Sequence, residues 1–264
     1  MRTNLSCADR ANPPDAPIAV NPIIVIPARM ASQRLPGKPL ALIAGKPMIV
    51  HVVERARDAA IGPVAVACAD PEVAEAAAAA GAIAVLTDPA LPSGSDRVNA
   101  ALATLDPRGA HDIVVNLQGD QPAIPAGHLR AVLGPLHDPA FDIATLVAPI
   151  ESAEEAALPS VVKAACAFGL GRSVATALYF SRAAIPWGDG PLWHHIGVYA
   201  YRRAALARYI ALPESPLERR EKLEQLRALE AGMRIACARV DHASFGVDTQ
   251  DDLDRARALL ERPS

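Results

Sequence analysis

The chain has 264 residues, of which 51% are hydrophobic and 21% charged, and its formal net charge is −3. That length and apolar content suit a globular core and exclude a disordered chain, while the balanced charge excludes the broad basic field of a nucleic-acid binder. The longest apolar runs fall far short of a membrane span, and Cys7, Cys68, Cys166 and Cys237 are scattered without a C-x-x-C pair, which suits inert thiols in a reducing, cytoplasmic compartment.

Residues 1–22 carry Pro13, Pro14, Pro17 and Pro22, no periodic pattern and no apolar h-region, and Asp9 and Asp15 oppose an organellar transit peptide. They read as a disordered tail or the product of an upstream start codon, with the fold beginning at 23. From there short apolar runs alternate with helical patterns. "PIIVIPA" (22–28), "PVAVACAD" (63–70), "AIAVLTD" (82–88) and "DIVVNLQGD" (112–120) predict buried strands. Between them "MIVHVVERARDAA" (48–60), "PEVAEAAAAAG" (71–81) and "SDRVNAALATL" (95–105) predict helices. Apolar strands alternating with helices imply a doubly wound α/β sheet, mostly parallel and covered on both faces. Its ligands sit beyond the carboxyl ends of the strands, so the loops after Ile26 and Leu117 are the places to search.

The second half is richer in strands, with candidates at 141–150, 161–167, 175–186, 195–203 and 234–240. Ser215-Pro216-Leu217-Glu218 predicts a capped helix start, and Gly232 its end. Thr249 is the expected N-cap of a last helix, with Asp252 in the capping-box position. No linker separates the halves. The expected organisation is one domain over 23–264, a β-rich extension (141–264) continuing a nucleotide-binding half (23–140).

The chain owns four lysines against 22 arginines, and two of the four, Lys38 and Lys46, stand in copies of Gly-Lys-Pro. The first copy closes "IPARMASQRLPGKP" (26–39), where Arg29, Arg34 and Lys38 share one loop at a strand's carboxyl end. Three cations there suit a polyanion, with arginine as a planar fork and lysine as a point charge. On spacing alone an ordinary solvated loop reads equally well, and no Walker A pattern is present. In the second copy Gly45-Lys46 is a turn and Pro47 opens a helix, which makes Lys46 a solvent-facing residue.

"IIVIPARMASQRLPGKPLALIAGKPMIVHVVERA" resembles the N-terminal signature of the 3-deoxy-manno-octulosonate (Kdo) cytidylyltransferases. The resemblance continues through "SGSDRV" (93–98), "VVNLQGDQP" (114–122), "LYFSRAAIPW" (178–187), "HHIGVYAYRR", "SPLERREKLEQLRALEAGM" (215–233) and "GVDTQDDL" (246–253), and spans roughly residues 22–262. It implies a nucleotide-diphospho-sugar transferase-like fold. It also implies transfer of CMP from CTP to Kdo with release of pyrophosphate, for lipopolysaccharide assembly, by a cytoplasmic homodimer pairing through its second half.

Carried over by the resemblance, Arg29 and Lys38 hold the triphosphate with Arg34 beside them. Ala28, Ser93, Gly94 and Arg97 fall in the nucleotide-contacting stretches, and Asp120 and Asp248 match the magnesium-binding aspartates. Gln118, His195, Tyr199, Glu224 and Gln225 match sugar-side positions, and Arg182 is a candidate partner for the sugar carboxylate. Each has a plainer reading. Asp248 precedes an N-cap and suits capping, Glu221 and Glu224 suit a solvated helix face, and His195 suits a hydrogen-bonded core residue. The chain departs from the family pattern at Gln33, Asp96 and Gln121, lacks a proline before Gly246, and is short between Trp187 and His194. Rival functions are a cytidylyltransferase for another acidic sugar, a glycosyltransferase, which the lack of a strand-terminal D-x-D disfavours, and a nucleotide-sensing module.

Overall fold

The computed structural model describes residues 20–31 and 34–261. The expected tail therefore lies, over 1–19, outside the described residues, as do Cys7 and Gln33. In chain order the elements of the first half are β1 (Pro22–Ala28), β2 (Leu42–Ile43), β3 (Lys46–Pro47), α1 (Met48–Asp58), β4 (Val64–Cys68), α2 (Pro71–Ala79), β5 (Ile83–Leu86), α3 (Gly94–Leu105), β6 (Ile113–Leu117) and α4 (Ala126–Ala131). The second half follows with β7 (Ile143–Pro149), α5 (Ala153–Ala157), β8 (Lys163–Ala165), β9 (Val174–Thr176), β10 (Tyr179–Ser181), β11 (Trp193–Arg202), α6 (Arg203–Ile210), α7 (Pro216–Glu221), α8 (Gln225–Glu230), β12 (Ile235–Arg239) and α9 (Gln250–Leu260).

One ten-stranded sheet runs in the order β5-β4-β1-β6-β11-β7-β12-β9, with β8 pairing on β11 and β10 on β8. Strands β5, β4, β1 and β6 are mutually parallel. Strand β11 lies antiparallel between β6 and β7 and joins the two halves. This is the expected doubly wound α/β sheet with a β-rich extension. Successive residues of β1 point to opposite faces, and the core divides accordingly. Ile24 and Ile26 pack with Val52 and Val53 of α1 and Val73 of α2. Ile23 and Val25 pack with Val98 and Leu102 of α3 and Leu206 of α6.

A third, smaller cluster positions the site. Leu35, Ile43 and Met48 bury themselves against Val247, Leu253 and Ala256, so α9 closes over the β2–β3 hairpin. This contact carries the segment before α9, more than two hundred residues away in sequence, onto the loop after β1.

Three expectations need correction. The run 175–186 is not one strand. It breaks at Ala177-Leu178 into β9, which pairs with β12, and β10, which pairs with β8. The helix expected from Ser215 to Gly232 is two helices, α7 and α8, because Lys222 adopts a left-handed backbone (φ 57°, ψ 46°) and ends the first. Glu221 and Glu224 therefore do not share one helix face, and the Glu221 carboxylate is half-buried, accepting from Ser181 Oγ at 2.8 Å and the Arg182 N–H at 3.0 Å. Pro47 is the N-cap of α1 rather than its first residue, and the exposed Lys46 beside it pairs with Glu54 at 2.7 Å.

Candidate active site

The carboxyl ends of β1 and β6 open into a cleft of about 830 Å³, lined among others by Ala28, Arg29, Arg34, Lys38, Ser93, Gly94, Gln118 and Asp120. This is where a doubly wound sheet offers its ligand site. Two glycines make the approach possible. Gly37 takes φ 71° before Lys38, and a Cβ on Gly119 would stand 2.9 Å from the Pro27 carbonyl oxygen, so β1 and the turn after β6 could not close with a larger residue there. The Asp70 carboxylate accepts from the Met30 N–H at 2.8 Å and anchors the start of the cationic loop.

An ionic triad of Lys38, Asp120 and Asp248 borders the cleft, with Lys38 and Asp120 in its lining. Lys38 Nζ lies 2.8 Å from Asp120 Oδ2 and 3.0 Å from Asp248 Oδ1, and Arg34 reaches Asp248 Oδ2 at 3.0 Å. Burial alone would lower the Lys38 pKa, but the charges and hydrogen bonds of the two carboxylates outweigh it and raise the value. Asp120 and Asp248 meet because the Val247 N–H donates to the Asp120 carbonyl at 2.8 Å, next to the cluster that seats α9. The capping alternative for Asp248 does not hold. Thr249 caps α9 in a reciprocal box with Asp252, leaving the Asp248 side chain to the cleft.

The residues fit a divalent cation. Two carboxylates from distant parts of the chain already converge on one positive charge, the Lys38 ammonium, and hard oxygen donors of this kind suit magnesium, which takes one or two carboxylates and fills its shell with water and phosphate oxygens. Among the described residues no group of three or more His, Cys, Asp or Glu side chains gathers into a metal site.

The other predicted cations divide. The Arg29 guanidinium is exposed and lines the cleft with no hydrogen bond or ion pair to any described residue. Arg97, only 2% exposed, is committed instead to the loop after β5, donating to Thr87 Oγ1 at 2.6 Å and to the Asp88 carbonyl at 3.1 Å. Burial, with Arg29 nearby, lowers its pKa. Arg97 thus shapes one wall and is not a free phosphate ligand. Ser93 caps α3: its hydroxyl accepts from the Asp96 N–H at 3.1 Å and donates to the Asp96 carboxylate at 2.6 Å. What Ser93-Gly94 offers a nucleotide is backbone N–H groups at a helix N-terminus, which carries partial positive charge.

A second cavity of about 240 Å³ adjoins the first and shares Gly94 and Gln118 with it. Tyr199, Glu224 and Gln225, three of the residues that the resemblance assigns to the sugar, line it together. Burial raises the Glu224 pKa. The Gln225 side chain, 8% exposed, leaves its Nε2 buried without a hydrogen-bond partner. Two residues expected on the sugar side lie outside this lining. His195 is not in the lining. It is a core residue whose Nε2 lies 3.0 Å from Thr145 Oγ1, and burial, with His194 beside it, pushes its pKa down to about 3. It stays neutral, its ring packed between those of Phe180 and Tyr199, centroids 4.9 and 5.5 Å away.

Arg182 is the other. Its guanidinium donates to three carbonyls: Glu221 at 2.8 Å, Pro159 at 2.9 Å and Lys222 at 3.2 Å. It lines neither cavity and fixes the turn between α7 and α8. Sequence reasoning missed Tyr201, Tyr209 and Lys222 in the second cavity. Tyr201 follows Tyr199 at strand period, which marked one face of β11. Lys222 stood two residues from Glu224 with no local pattern to single it out.

The family model described as "Cytidylyltransferase" matches residues 23–235. The 3-deoxy-manno-octulosonate cytidylyltransferase of Rhodospirillum centenum is 64% identical over 241 residues, covering 91% of this chain and 94% of that protein. That of Parvibaculum lavamentivorans is 57% identical over 257 residues, covering 97% and 99%. A solved CMP:2-keto-3-deoxy-manno-octonic acid synthetase complexed with CTP superposes with a TM-score of 0.83 at 44% identity, over 91% of this chain and 98% of that one.

Proposed function

The chain belongs to the cytidylyltransferase family, among the 3-deoxy-manno-octulosonate cytidylyltransferases, and from that premise we propose that it transfers CMP from CTP to the anomeric hydroxyl of Kdo. The hydroxyl oxygen forms a bond to the α-phosphorus, the α–β bridging oxygen leaves with pyrophosphate, and the hydroxyl proton passes to solvent. The product is CMP-Kdo, for lipopolysaccharide assembly. The observation that carries the reading is the pair of abutting cavities at the sheet's carboxyl edge, the larger rich in cations and the smaller in hydroxyl and amide groups, meeting at Gly94 and Gln118.

In-line phosphoryl transfer requires positioning and charge neutralisation more than covalent help. Arg29 is free to take a phosphate through its fork. Gly94 and its neighbours present backbone donors to the nucleotide, and Gln118, at the boundary, can orient the acceptor. Asp120 and Asp248 would hold magnesium, which when bound neutralises phosphate charge. Lys38 then leaves the two carboxylates and turns its ammonium to the triphosphate, so the resting ion pair and the catalytic contact are two positions of one lysine.

A homodimer formed through the β-rich half is part of the proposal. Leu178, between β9 and β10, is exposed and suits such a surface. The unpaired thiols of Cys68, Cys166 and Cys237 favour a reducing cytoplasm, and among the described residues no helix is long and apolar enough to cross a membrane. The test is pyrophosphate release from CTP and magnesium across a panel of sugar acids. Turnover with Kdo supports the reading, turnover only with an amino-Kdo or a sialic acid moves it to a sister substrate, and no turnover by folded protein refutes it.

A further inference from the structure

A 2-keto sugar acid carries a permanent negative charge, and a cavity that prefers it to a neutral sugar needs a cation placed for that charge. Arg182 cannot serve, since three main-chain carbonyls occupy its guanidinium. Arg29 lines only the larger cleft. Lys222 is the one cationic residue lining the smaller cavity, and its ammonium has no hydrogen bond or ion pair among the described residues.

The backbone at Lys222 is held in a conformation that glycine or asparagine adopts more readily (φ 57°). Two main-chain contacts fix it: its N–H donates to the Glu218 carbonyl at 2.7 Å and its own carbonyl accepts from Arg182 at 3.2 Å. An unusual conformation secured from both sides is what a functional position looks like. A second observation in the same cavity also points to a ligand. Gln225 keeps a buried amide donor without a partner, and an oxygen-rich molecule would satisfy it.

We propose that Lys222 reads the substrate carboxylate in the smaller cavity and that Arg182 acts one step behind it, positioning Lys222 through the main chain. The assignment rests on the functional reading above and deepens it. The carboxylate and the reacting hydroxyl share the anomeric carbon, so Lys222 and Gln118, both in the lining of this one cavity, take the same end of the sugar, and its remaining hydroxyl groups turn toward Glu224 and Gln225.

The experiment is a steady-state split with Lys222→Gln, Lys222→Arg and Lys222→Gly, using Kdo and Kdo carboxamide as acceptors. Loss of one charge-assisted contact raises the KM for Kdo in Lys222→Gln by about tenfold to a hundredfold. The KM for CTP and the kcat at saturating Kdo stay within about twofold. Lys222→Arg keeps the charge and recovers most of the loss. Lys222→Gly suits the left-handed backbone, so it shows the same KM rise with a thermal midpoint no lower than wild type, which separates recognition from folding. Wild type prefers the acid to the carboxamide, and Lys222→Gln loses that preference. An unchanged Kdo KM in either neutral variant, or a wild type indifferent to the carboxamide, overturns the assignment while leaving the cytidylyltransferase reading intact. A folded wild type inactive on Kdo and on other 2-keto sugar acids overturns both.

Discussion

Replacing Lys38 by methionine keeps the aliphatic stem and deletes the charge at the centre of the ionic triad. The Lys38 side chain is 17% exposed and its partners Asp120 and Asp248 are 26% and 45% exposed. Breaking a fully buried ion pair costs about 3–5 kcal/mol, an exposed one about 0–1 kcal/mol. Arg34 still holds Asp248 at 3.0 Å, so the loss falls chiefly on Asp120, and about 2 kcal/mol is the expected cost. For a chain of this size that lowers the thermal midpoint by about 4–8 °C.

The same deletion removes the ammonium that competes with a divalent ion for the two carboxylates. Magnesium without nucleotide should bind Lys38→Met about tenfold more tightly than wild type, equivalent to about 1.4 kcal/mol, and restore part of the lost midpoint. Turnover should still fall by about a hundredfold or more, since the ammonium that would face the phosphate charge is missing. The assay is calorimetric unfolding with and without magnesium, beside metal titration of the nucleotide-free protein. The two carboxylates raise the Lys38 pKa against its burial. The stabilisation is therefore present throughout the range below the ordinary lysine value near 10.5 and disappears as pH rises through the higher folded value. A Lys38→Met protein with the wild-type midpoint and unchanged magnesium affinity would refute the account of Lys38 as resident counterion.

Other outcomes follow from the same geometry. Lys46→Ala, which breaks only the exposed pair with Glu54, should leave turnover unchanged and stability within about 0.5 kcal/mol. Asp248→Asn keeps the Thr249–Asp252 cap but loses the ion pairs with Lys38 and Arg34, half-exposed contacts whose loss should cost about 1 kcal/mol and lower the ligand-free midpoint by about 2–4 °C, while turnover falls by orders of magnitude and excess magnesium restores it only in part. Arg182→Ala should free three carbonyls, raising the KM for Kdo more than that for CTP and speeding amide exchange around 221–225. His195, with its pKa lowered to about 3, binds fewer protons folded than unfolded between that value and 6.5, so wild-type stability should fall as pH drops through this window. His195→Asn should flatten that acid-side slope in thermal midpoints measured against pH.

Much of this molecule is written locally. The apolar runs at 22–28, 63–70 and 112–120 are strands because near-continuous Val, Ile and Leu suit a sheet buried on both faces, and their fixed direction puts Arg29, Lys38 and Asp120 at one edge. Thr249 with Asp252 and Gly37 at positive φ are likewise short-range signals, and the side-chain types of the phosphate loop follow from charge chemistry alone. What each charge is bound to is not local. Arg97 and Arg182 were indistinguishable from Arg29 in the sequence, yet their acceptors, the Thr87 hydroxyl and backbone carbonyls at 88, 159, 221 and 222, are ones that only folding brings within reach. The break at Lys222 was hidden for the same reason. Residues 215–232 have helical propensity throughout, and it is Arg182 from the end of β10 that holds the turn open. Asp248 joined Asp120 only because α9 buries Leu253 and Ala256 against the β2–β3 hairpin. A sequence declares which groups can be charged and which elements will form. Long-range packing decides which charges are consumed in holding the structure and which remain free for a substrate, because a hydrogen bond is satisfied by whichever acceptor the fold delivers.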